Sequence, residues 1–214
     1  MEFNEITYGN PTQEQLLLIK ENCIVDNLFE KFKDSIIPKN DSELVKEELN
    51  EIKDCLDIVS QPENKNYLKR YLAYDRHLAQ SLSTVFKDKK IDVEELIVEI
   101  IKDIQSLIFR LKFHHQRPRP NQLAEYHKLK LFPYKSYSAN TPSYPSGHTI
   151  EAIVVLNVIG NKYPTEYQFC KELIEDIAYS RVYLGLHFPS DNDGAREIAK
   201  EILKHTEFTK KYGI

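Results

Sequence analysis

Apolar residues recur along this chain at the three- and four-residue spacing of an α-helix, and no run alternates in the way of a half-buried strand. The clearest stripe consists of leucines and isoleucines between Asp92 and Phe113. Asp92 is a favourable N-cap for this helix, and Pro118 and Pro120 follow its end because proline cannot continue a helix. The periodicity predicts an all-α fold, a compact helical bundle.

Capping signals and helix-breaking residues divide the rest of the chain. Helices are predicted from a Thr12–Gln15 capping box into the mid-thirties, over about 42–60, over about 63–87, from Pro145-Ser146-Gly147 onward, from a Thr165–Gln168 cap to about 183, and from a Ser190–Asp193 cap to about 205. A long loop rich in aromatic residues is predicted between 118 and 145, and a packed loop of that length is usually functional.

The length of 214 residues bounds the organisation of the chain, since it suffices for one sizeable core. The sequence contains no repeat, no low-complexity tract and no obvious linker. We therefore expect a single domain over residues 1–214, with a helical scaffold over 1–90 and a catalytic core over 91–207.

Composition and charge exclude several classes of partner. A net charge of -4 offers no basic excess for nucleic acid. Cys23, Cys55 and Cys170 lie too far apart for a Cys-x-x-Cys site, so we expect reduced thiols and no metal centre. The apolar run 153–159 is too short to span a bilayer, and the acidic N-terminus does not resemble a signal peptide. A cytoplasmic protein is expected, although a removed leader would leave no trace; a homo-oligomer stays open.

Three short segments carry residues suited to phosphate chemistry. They are residues 112–120 (KFHHQRPRP), 143–149 (SYPSGHT) and 180–191 (SRVYLGLHFPSD). Each alone has an ordinary structural explanation, since Lys112 and Arg119 suit a solvated helix end and His187 suits a loop. Together they supply both an anion site and a nucleophile.

A phosphoryl group in transfer spreads negative charge over three equatorial oxygens, so it needs several fixed donors. The predicted phosphate-binding residues are Lys112 as a point charge, Arg119 and Arg181 as planar forks, Ser146 as a hydroxyl donor, and Gly147 as a close backbone N–H at a helix start. These donors would form a phosphate cradle without a metal ion.

The same segments contain a nucleophile and an acid. His187 precedes Asp191 by four residues, and the carboxylate can accept Nδ1–H and leave Nε2 free to attack. His148 is predicted to protonate the leaving oxygen and later to activate water. Because the two histidines need opposite protonation states, a bell-shaped pH profile is expected.

The order Lys-x6-Arg-Pro, Pro-Ser-Gly-His and Ser-Arg-x5-His-x3-Asp resembles the signature of the type-2 phosphatidate phosphatase superfamily. That superfamily unites bacterial class A nonspecific acid phosphatases, lipid phosphatases and vanadium haloperoxidases. The matching positions are Lys112, Arg119, Pro120, Pro145, Ser146, Gly147, His148, Ser180, Arg181, His187 and Asp191. Within it the chain is most similar to the class A acid phosphatases, because 143–149 matches their short signature with Pro142 in place of its first glycine.

The resemblance implies an all-α fold, a phosphohistidine on His187, an acid at His148, and metal-independent hydrolysis of phosphate monoesters on small molecules. The family spacing selects Arg119 for phosphate and leaves Arg117 open as a supporting residue. Class A acid phosphatases are normally exported and lipid phosphatases span membranes, whereas this chain shows neither a leader nor a transmembrane run.

Two other functions use the same residues. A vanadate-dependent haloperoxidase would hold vanadate in the cradle as a phosphate mimic, which in a phosphatase acts as an inhibitor. A non-catalytic module would bind phosphate or a phospholipid head group without turnover, but it would be expected to have lost a catalytic residue. All of the predicted catalytic residues are present, so the sequence favours the phosphatase.

Overall fold

A computed structural model describes residues 3–214, which form eleven α-helices and three single-turn 3-10 helices and contain no β-strand. The α-helices are α1 (Gln13–Lys20), α2 (Leu28–Phe32), α3 (Glu43–Val59), α4 (Lys65–Arg76), α5 (Leu78–Asp88), α6 (Glu94–His115), α7 (Pro120–Ala124), α8 (Gly147–Lys162), α9 (Tyr167–Tyr183), α10 (Pro189–Ile202) and α11 (Thr206–Tyr212). The 3-10 helices are Phe3–Glu5, Pro62–Asn64 and Pro164–Glu166. The predicted all-α helical fold is confirmed.

Helix α8 lies at the centre of the bundle, in contact with α6, α9 and α10. Its sequence is apolar on nearly every side, as expected for a helix surrounded by protein. Ile104 of α6, Val155 of α8 and Ile198 of α10 are fully buried in the same core cluster. The second sequence motif opens α8, so the main core holds that motif in place.

A smaller core joins the N-terminal helices to the third motif. Leu49 and Ile52 of α3 are buried together with Leu123 of α7, Val182 of α9 and Phe188 before α10. Helix α3 therefore lies against the loop that carries the predicted nucleophile.

The predicted helix from Thr12 into the mid-thirties is wrong, because α1 and α2 are separate. The Thr12–Gln15 capping box is confirmed, with Thr12 Oγ1 accepting the Gln15 N–H at 3.2 Å and Gln15 Oε1 accepting the Thr12 N–H at 2.8 Å. Glu21 ends α1 with an extended backbone, and its carbonyl accepts a hydrogen bond from Ser106 of α6. That partner is distant in sequence, so local periodicity could not predict the break.

The predicted helix over 63–87 is also divided, into α4 and α5. His77 separates them with φ −154° and ψ 78°. Tyr74 and Asp75, in the last turn of α4, make tertiary hydrogen bonds to Asp176 and to residues 136–138. These contacts, which have no local signal, accompany the break.

Other helix boundaries differ from the predicted ones by a few residues. Helix α6 starts after Val93, with Asp92 Oδ1 accepting the Glu94 N–H at 3.3 Å, and it ends at His115 rather than Phe113. Neither the Thr165–Gln168 nor the Ser190–Asp193 cap forms: a 3-10 turn precedes α9, and α10 begins after Phe188. Helices α7 and α11 lay outside the predicted set.

Two further expectations were tested directly. Cys23, Cys55 and Cys170 are free thiols, as predicted. Among residues 3–214, no helix is both long enough and apolar enough to cross a bilayer.

Candidate active site

The His187 imidazole lies between a carboxylate and a guanidinium. Its Nδ1 is 3.1 Å from Oδ2 of Asp191, and its Nε2 is 2.8 Å from Nη1 of Arg119. A guanidinium can only donate, so Nε2 is the acceptor and Nδ1 carries the proton that Asp191 accepts. Burial, reinforced by the charge of Arg119, lowers the pKa of His187 well below its ordinary value. The geometry therefore favours a neutral imidazole with its lone pair on Nε2.

The Asp191 carboxylate is fully buried and accepts hydrogen bonds on both oxygens. Oδ2 accepts the Phe188 N–H at 2.9 Å and the Ser143 hydroxyl, while Oδ1 accepts Nη1 of Arg117 at 2.6 Å. Burial alone would raise the pKa of Asp191, but the Arg117 charge and the bonds from His187 and Ser143 hold it well below its usual range. Asp191 is thus an ionised acceptor for Nδ1–H.

Arg119 stands at the N-cap of α7 and is only 5% exposed. Its Nε donates to the Thr141 carbonyl and its Nη1 to the Leu186 carbonyl, both at 2.8 Å. Burial lowers the pKa of Arg119 to about 10, which still leaves the group charged at neutral pH. Two backbone carbonyls therefore orient the fork beside His187.

Lys112, in the last turn of α6, reaches across the start of α8. Its ammonium donates to the carbonyls of Pro142 at 2.8 Å and Ser143 at 3.3 Å. A Cβ at Gly147 would lie 3.5 Å from Cε of Lys112, so the lysine stem packs against the first turn of α8. Burial, together with the charge of Arg119, lowers the pKa of Lys112 well below its ordinary value.

Arg181, near the end of α9, has donors to spare. Its Nη2 donates to Oδ1 of Asp75 at 2.9 Å and to Oγ of Ser138 at 3.2 Å. Nε and Nη1 are buried and have no hydrogen-bond partner within residues 3–214. Two unpaired donors on one buried guanidinium suit a multivalent oxyanion.

Ser146 and Gly147 form the N-terminus of α8. The Ser146 N–H donates to the Asp191 carbonyl at 3.2 Å. Its hydroxyl lies 2.9 Å from Oγ1 of Thr149, whose own proton goes to Asn192 at 2.8 Å. The Ser146 hydroxyl is therefore directed at Thr149 here, and it must rotate to serve as a phosphate donor.

His148 is the most exposed of the predicted site residues. Its Nε2 lies 3.2 Å from the carbonyl oxygen of Tyr74, in the last turn of α4, where helix carbonyls lack an intrahelical partner. A carbonyl only accepts, so Nε2 carries a proton in this contact. Burial, reinforced by the charge of Arg181, lowers the pKa of His148 well below its ordinary value.

Comparison with known protein families identifies one match. Residues 96–195 match the PAP2 superfamily, and this stretch contains all three motifs completely. The matched stretch is similar to the PAP2 superfamily over just under half of the chain. The predicted resemblance to the type-2 phosphatidate phosphatase superfamily is thereby confirmed, and the match supports a phosphatase acting on phosphate esters. The closer likeness to class A acid phosphatases stays a prediction.

Solved structures share the fold of this chain. One of them is the transmembrane PAP2-type phosphatidylglycerolphosphate phosphatase from Bacillus subtilis, with 19% sequence identity, a TM-score of 0.55, and coverage of 94% of this chain and 98% of that one. At that identity the likeness shows the fold alone. No curated protein matches the chain.

Two acids of the candidate site come from outside the three motifs. Glu48 of α3 and Asp75 of α4 are almost fully buried, and they form ion pairs with Arg117 and Arg181 respectively. A signal was present in the sequence, because each acid follows an apolar residue by one helical turn on the buried face. A carboxylate on such a face is rarely tolerated without a partner.

Asp75 is held by the long loop before α8. Its carboxylate accepts the hydroxyls of Ser136 and Ser138, both at 2.7 Å, and the Tyr137 N–H at 2.9 Å. Burial opposes ionisation, but Arg181 and these three donors lower the pKa of Asp75 to about 2. Over residues 3–214, no group of three or more His, Cys, Asp or Glu side chains is arranged to hold a metal ion.

Proposed function

We propose that this protein hydrolyses phosphate monoesters through a phosphohistidine on His187, without a metal ion. The observation that carries the proposal is the buried His187 imidazole held between Asp191 and Arg119. The Nδ1 proton is committed to the carboxylate, so the free electron pair lies on Nε2, next to a fork suited to phosphate oxygens.

In the first step, Nε2 of His187 attacks phosphorus and the bond from phosphorus to the ester oxygen breaks. The leaving alkoxide takes a proton from His148, the site residue most accessible to solvent. In the second step, water attacks the phosphohistidine, His148 accepts a proton from that water, and phosphate leaves with the electron pair of the P–N bond returned to Nε2. Asp191 stabilises the imidazolium formed between the steps.

Cationic side chains supply the positive charge that balances the negative charge of the transition state. Lys112, Arg119 and Arg181 come from three different segments of the chain, and all three are at most 5% exposed. Buried guanidinium donors stabilise developing charge more strongly than exposed ones, because little water competes for them. The unpaired Nε and Nη1 of Arg181 are the donors best placed to gain a partner when phosphate binds.

Small soluble monoesters are the substrates we propose first, because the phosphate-binding side chains are almost completely covered. The Bacillus subtilis protein that shares the fold is described as a phosphatidylglycerolphosphate phosphatase. A substrate panel therefore includes a chromogenic monoester, a sugar phosphate, a nucleoside monophosphate and a glycerol-based phospholipid phosphate.

The test is hydrolysis of the chromogenic monoester in excess chelator, between about pH 4 and pH 9, with His187→Ala beside the unaltered protein. Chelator-resistant turnover that disappears in the variant, and acid-labile phosphate trapped on the unaltered protein alone, are expected. Orthovanadate is expected to inhibit as a phosphate mimic. Turnover that persists in His187→Ala, or that requires an added divalent cation, would reject the mechanism.

A further inference from the structure

A buried chain of charges lies behind the His187–Asp191 pair. Arg117 is 1% exposed, Asp191 0% and Glu48 4%. Nη1 of Arg117 is 2.6 Å from Oδ1 of Asp191, and Nη2 is 3.3 Å from Oε2 of Glu48. Glu48 belongs to α3, so this chain connects an N-terminal helix to the proposed nucleophile.

The two oxygens of Asp191 have separate partners. Oδ1 accepts from Arg117, whereas Oδ2 accepts from His187 and from the Phe188 N–H. A carboxylate held at both oxygens cannot rotate freely about its side-chain bond. The guanidinium of Arg117 therefore sets the plane in which Oδ2 meets Nδ1 of His187.

Glu48 fixes Arg117 and the start of α10 together. Its Oε1 accepts the Ser190 N–H at 2.6 Å, and Nη1 of Arg117 donates to the Ser190 hydroxyl at 2.8 Å. The guanidinium carbon of Arg117 lies 4.2 Å from the centre of the Phe188 ring, and the Nε atom alone lacks a hydrogen-bond partner. With both terminal nitrogens engaged by acids, Arg117 has no free fork for a phosphate.

We infer that Arg117, anchored by Glu48, is a positioning residue that keeps Asp191 ionised and aligned, and thereby keeps the proton of His187 on Nδ1. This inference rests on the proposed function for its kinetic consequence, but not for its structural one. It also assigns the two arginines of the first motif to different tasks, with Arg119 toward the phosphate and Arg117 behind the carboxylate.

The inference has a signature in pH. The charged and titratable groups that act on Asp191 are Glu48, Lys112, Arg117, Arg119, Tyr144 and His187. After burial, Arg117 has the largest influence on Asp191, and it lowers the pKa. In Arg117→Gln that pKa rises. As the pH is lowered, Asp191 therefore becomes protonated at a higher pH than in the unaltered protein, and activity is lost at that higher pH. A residue that merely supports the fold would lower the rate equally at every pH.

The experiment compares Arg117→Gln, Arg117→Lys and Glu48→Gln with the unaltered full chain. Arg110→Gln is the matched control, because Arg110 lies on helix α6, outside the site, and also pairs with an acid, Asp26. For Arg117→Gln we expect kcat to fall about 10- to 100-fold, as for other residues that orient a reacting group. The acid limb moves to higher pH and the inhibition constant of inorganic phosphate changes little. Arg117→Lys keeps the charge, so its acid limb stays in place while kcat falls.

NMR of isotope-labelled imidazoles in the same variants reads the His187 tautomer without any substrate. We expect Nδ1–H in the unaltered protein and in Arg110→Gln, and a mixture of tautomers in Arg117→Gln. If the unaltered protein lacks phosphatase activity, the proposed function fails while this measurement still decides the role of Arg117. If Arg117→Gln does not fold, Arg117→Lys and Glu48→Gln still test the alignment of Asp191, through a fall in kcat and a change in the His187 tautomer.

Two results would overturn the inference. A large rise in the phosphate inhibition constant with an unmoved acid limb would make Arg117 a phosphate ligand. An unchanged His187 tautomer with a uniform loss of rate across pH would reduce Arg117 and Glu48 to structural support.

Discussion

Nη1 of Arg119 lies 2.8 Å from Nε2 of His187, so the atom proposed to attack phosphorus accepts a hydrogen bond from the guanidinium proposed to bind phosphate. Burial and this neighbouring charge together lower the pKa of His187. We therefore propose two effects for this arginine: it keeps the imidazole of His187 unprotonated in mildly acidic solution, and it donates to the oxygens of a phosphoryl group bound next to Nε2.

Replacing that guanidinium separates the two effects. In Arg119→Gln the pKa of His187 is expected to rise, although burial still holds it below its ordinary value. The inhibition constant of inorganic phosphate should rise more than tenfold, because a charged donor is lost. NMR titration of His187 and phosphate inhibition measure the two effects. A His187 titration that does not move would show that the Arg119 charge is not felt at the imidazole.

Asp191→Asn should be costly for both rate and stability. The amide no longer enforces Nδ1–H on His187, and loss of the correct tautomer lowers turnover by about 10⁴-fold in an analogous Asp–His pair. Arg117 also loses its closer buried partner, which is expected to lower the free energy of unfolding by about 3 kcal/mol. Asp193→Asn, on the same helix with a side chain 78% exposed, is the control for both kcat and urea denaturation.

The proton on His148 should be visible in pH profiles. A lowered pKa means that His148 in the free protein holds its proton only at acidic pH, so kcat/KM should fall as pH rises through that low value. The negative charge of bound phosphate favours the protonated imidazole, so the alkaline limb of kcat should lie at a higher pH than that of kcat/KM. In His148→Asn both limbs should disappear; an unchanged profile would remove His148 from the mechanism.

Asp75 should make stability depend on acidity. Its folded-state pKa of about 2 lies below the ordinary 3.8, so its contribution is present above about pH 4 and is lost as pH falls through about 2. The size of the effect is about 2 kcal/mol, at 1.36 kcal/mol per pKa unit. Urea denaturation between about pH 5 and pH 2 should show a shallower decline for Asp75→Asn. Parallel curves for the two proteins would contradict this account.

Gly194 has a packing role on α10. A Cβ placed there would lie 2.2 Å from Cε2 of Tyr144, a buried side chain whose backbone belongs to the second motif. Gly194→Ala is therefore expected to destabilise the fold by about 1–3 kcal/mol through overpacking. Thermal denaturation of Gly194→Ala, Tyr144→Ala and the double variant gives the check: the double variant should lose less stability than the sum of the single ones.

Much of the fold was predictable because the sequence signals of a helix lie within the helix and its caps. The stripe of α6, the Thr12–Gln15 capping box and the start of α8 at Gly147 all agree with the structure. The breaks at residues 21–27 and at His77 were not predictable, because they accompany hydrogen bonds to residues far away in the sequence. Local propensity is a weak prior wherever tertiary contacts compete with it.

The candidate site divides in the same way. Spacing alone paired His187 with Asp191, since residues four apart at a helix start lie within reach of each other. The partners of Arg117 and Arg181 were out of reach of such arguments, because Glu48 and Asp75 lie 69 and 106 positions away. Their position on apolar helix faces showed only that each needed a partner, not which one.

By itself, then, the sequence determined the all-α class, the three motifs and the residue types that phosphate chemistry needs, because periodicity and short spacings are encoded within a few turns of chain. The tertiary structure alone decided which arginine meets which acid, which group lies against Nε2 of His187, and how deeply the cationic side chains are buried. Those properties depend on charges and donors brought together from separate helices, and electrostatic effects in a buried site are set by distance in space rather than by distance along the chain.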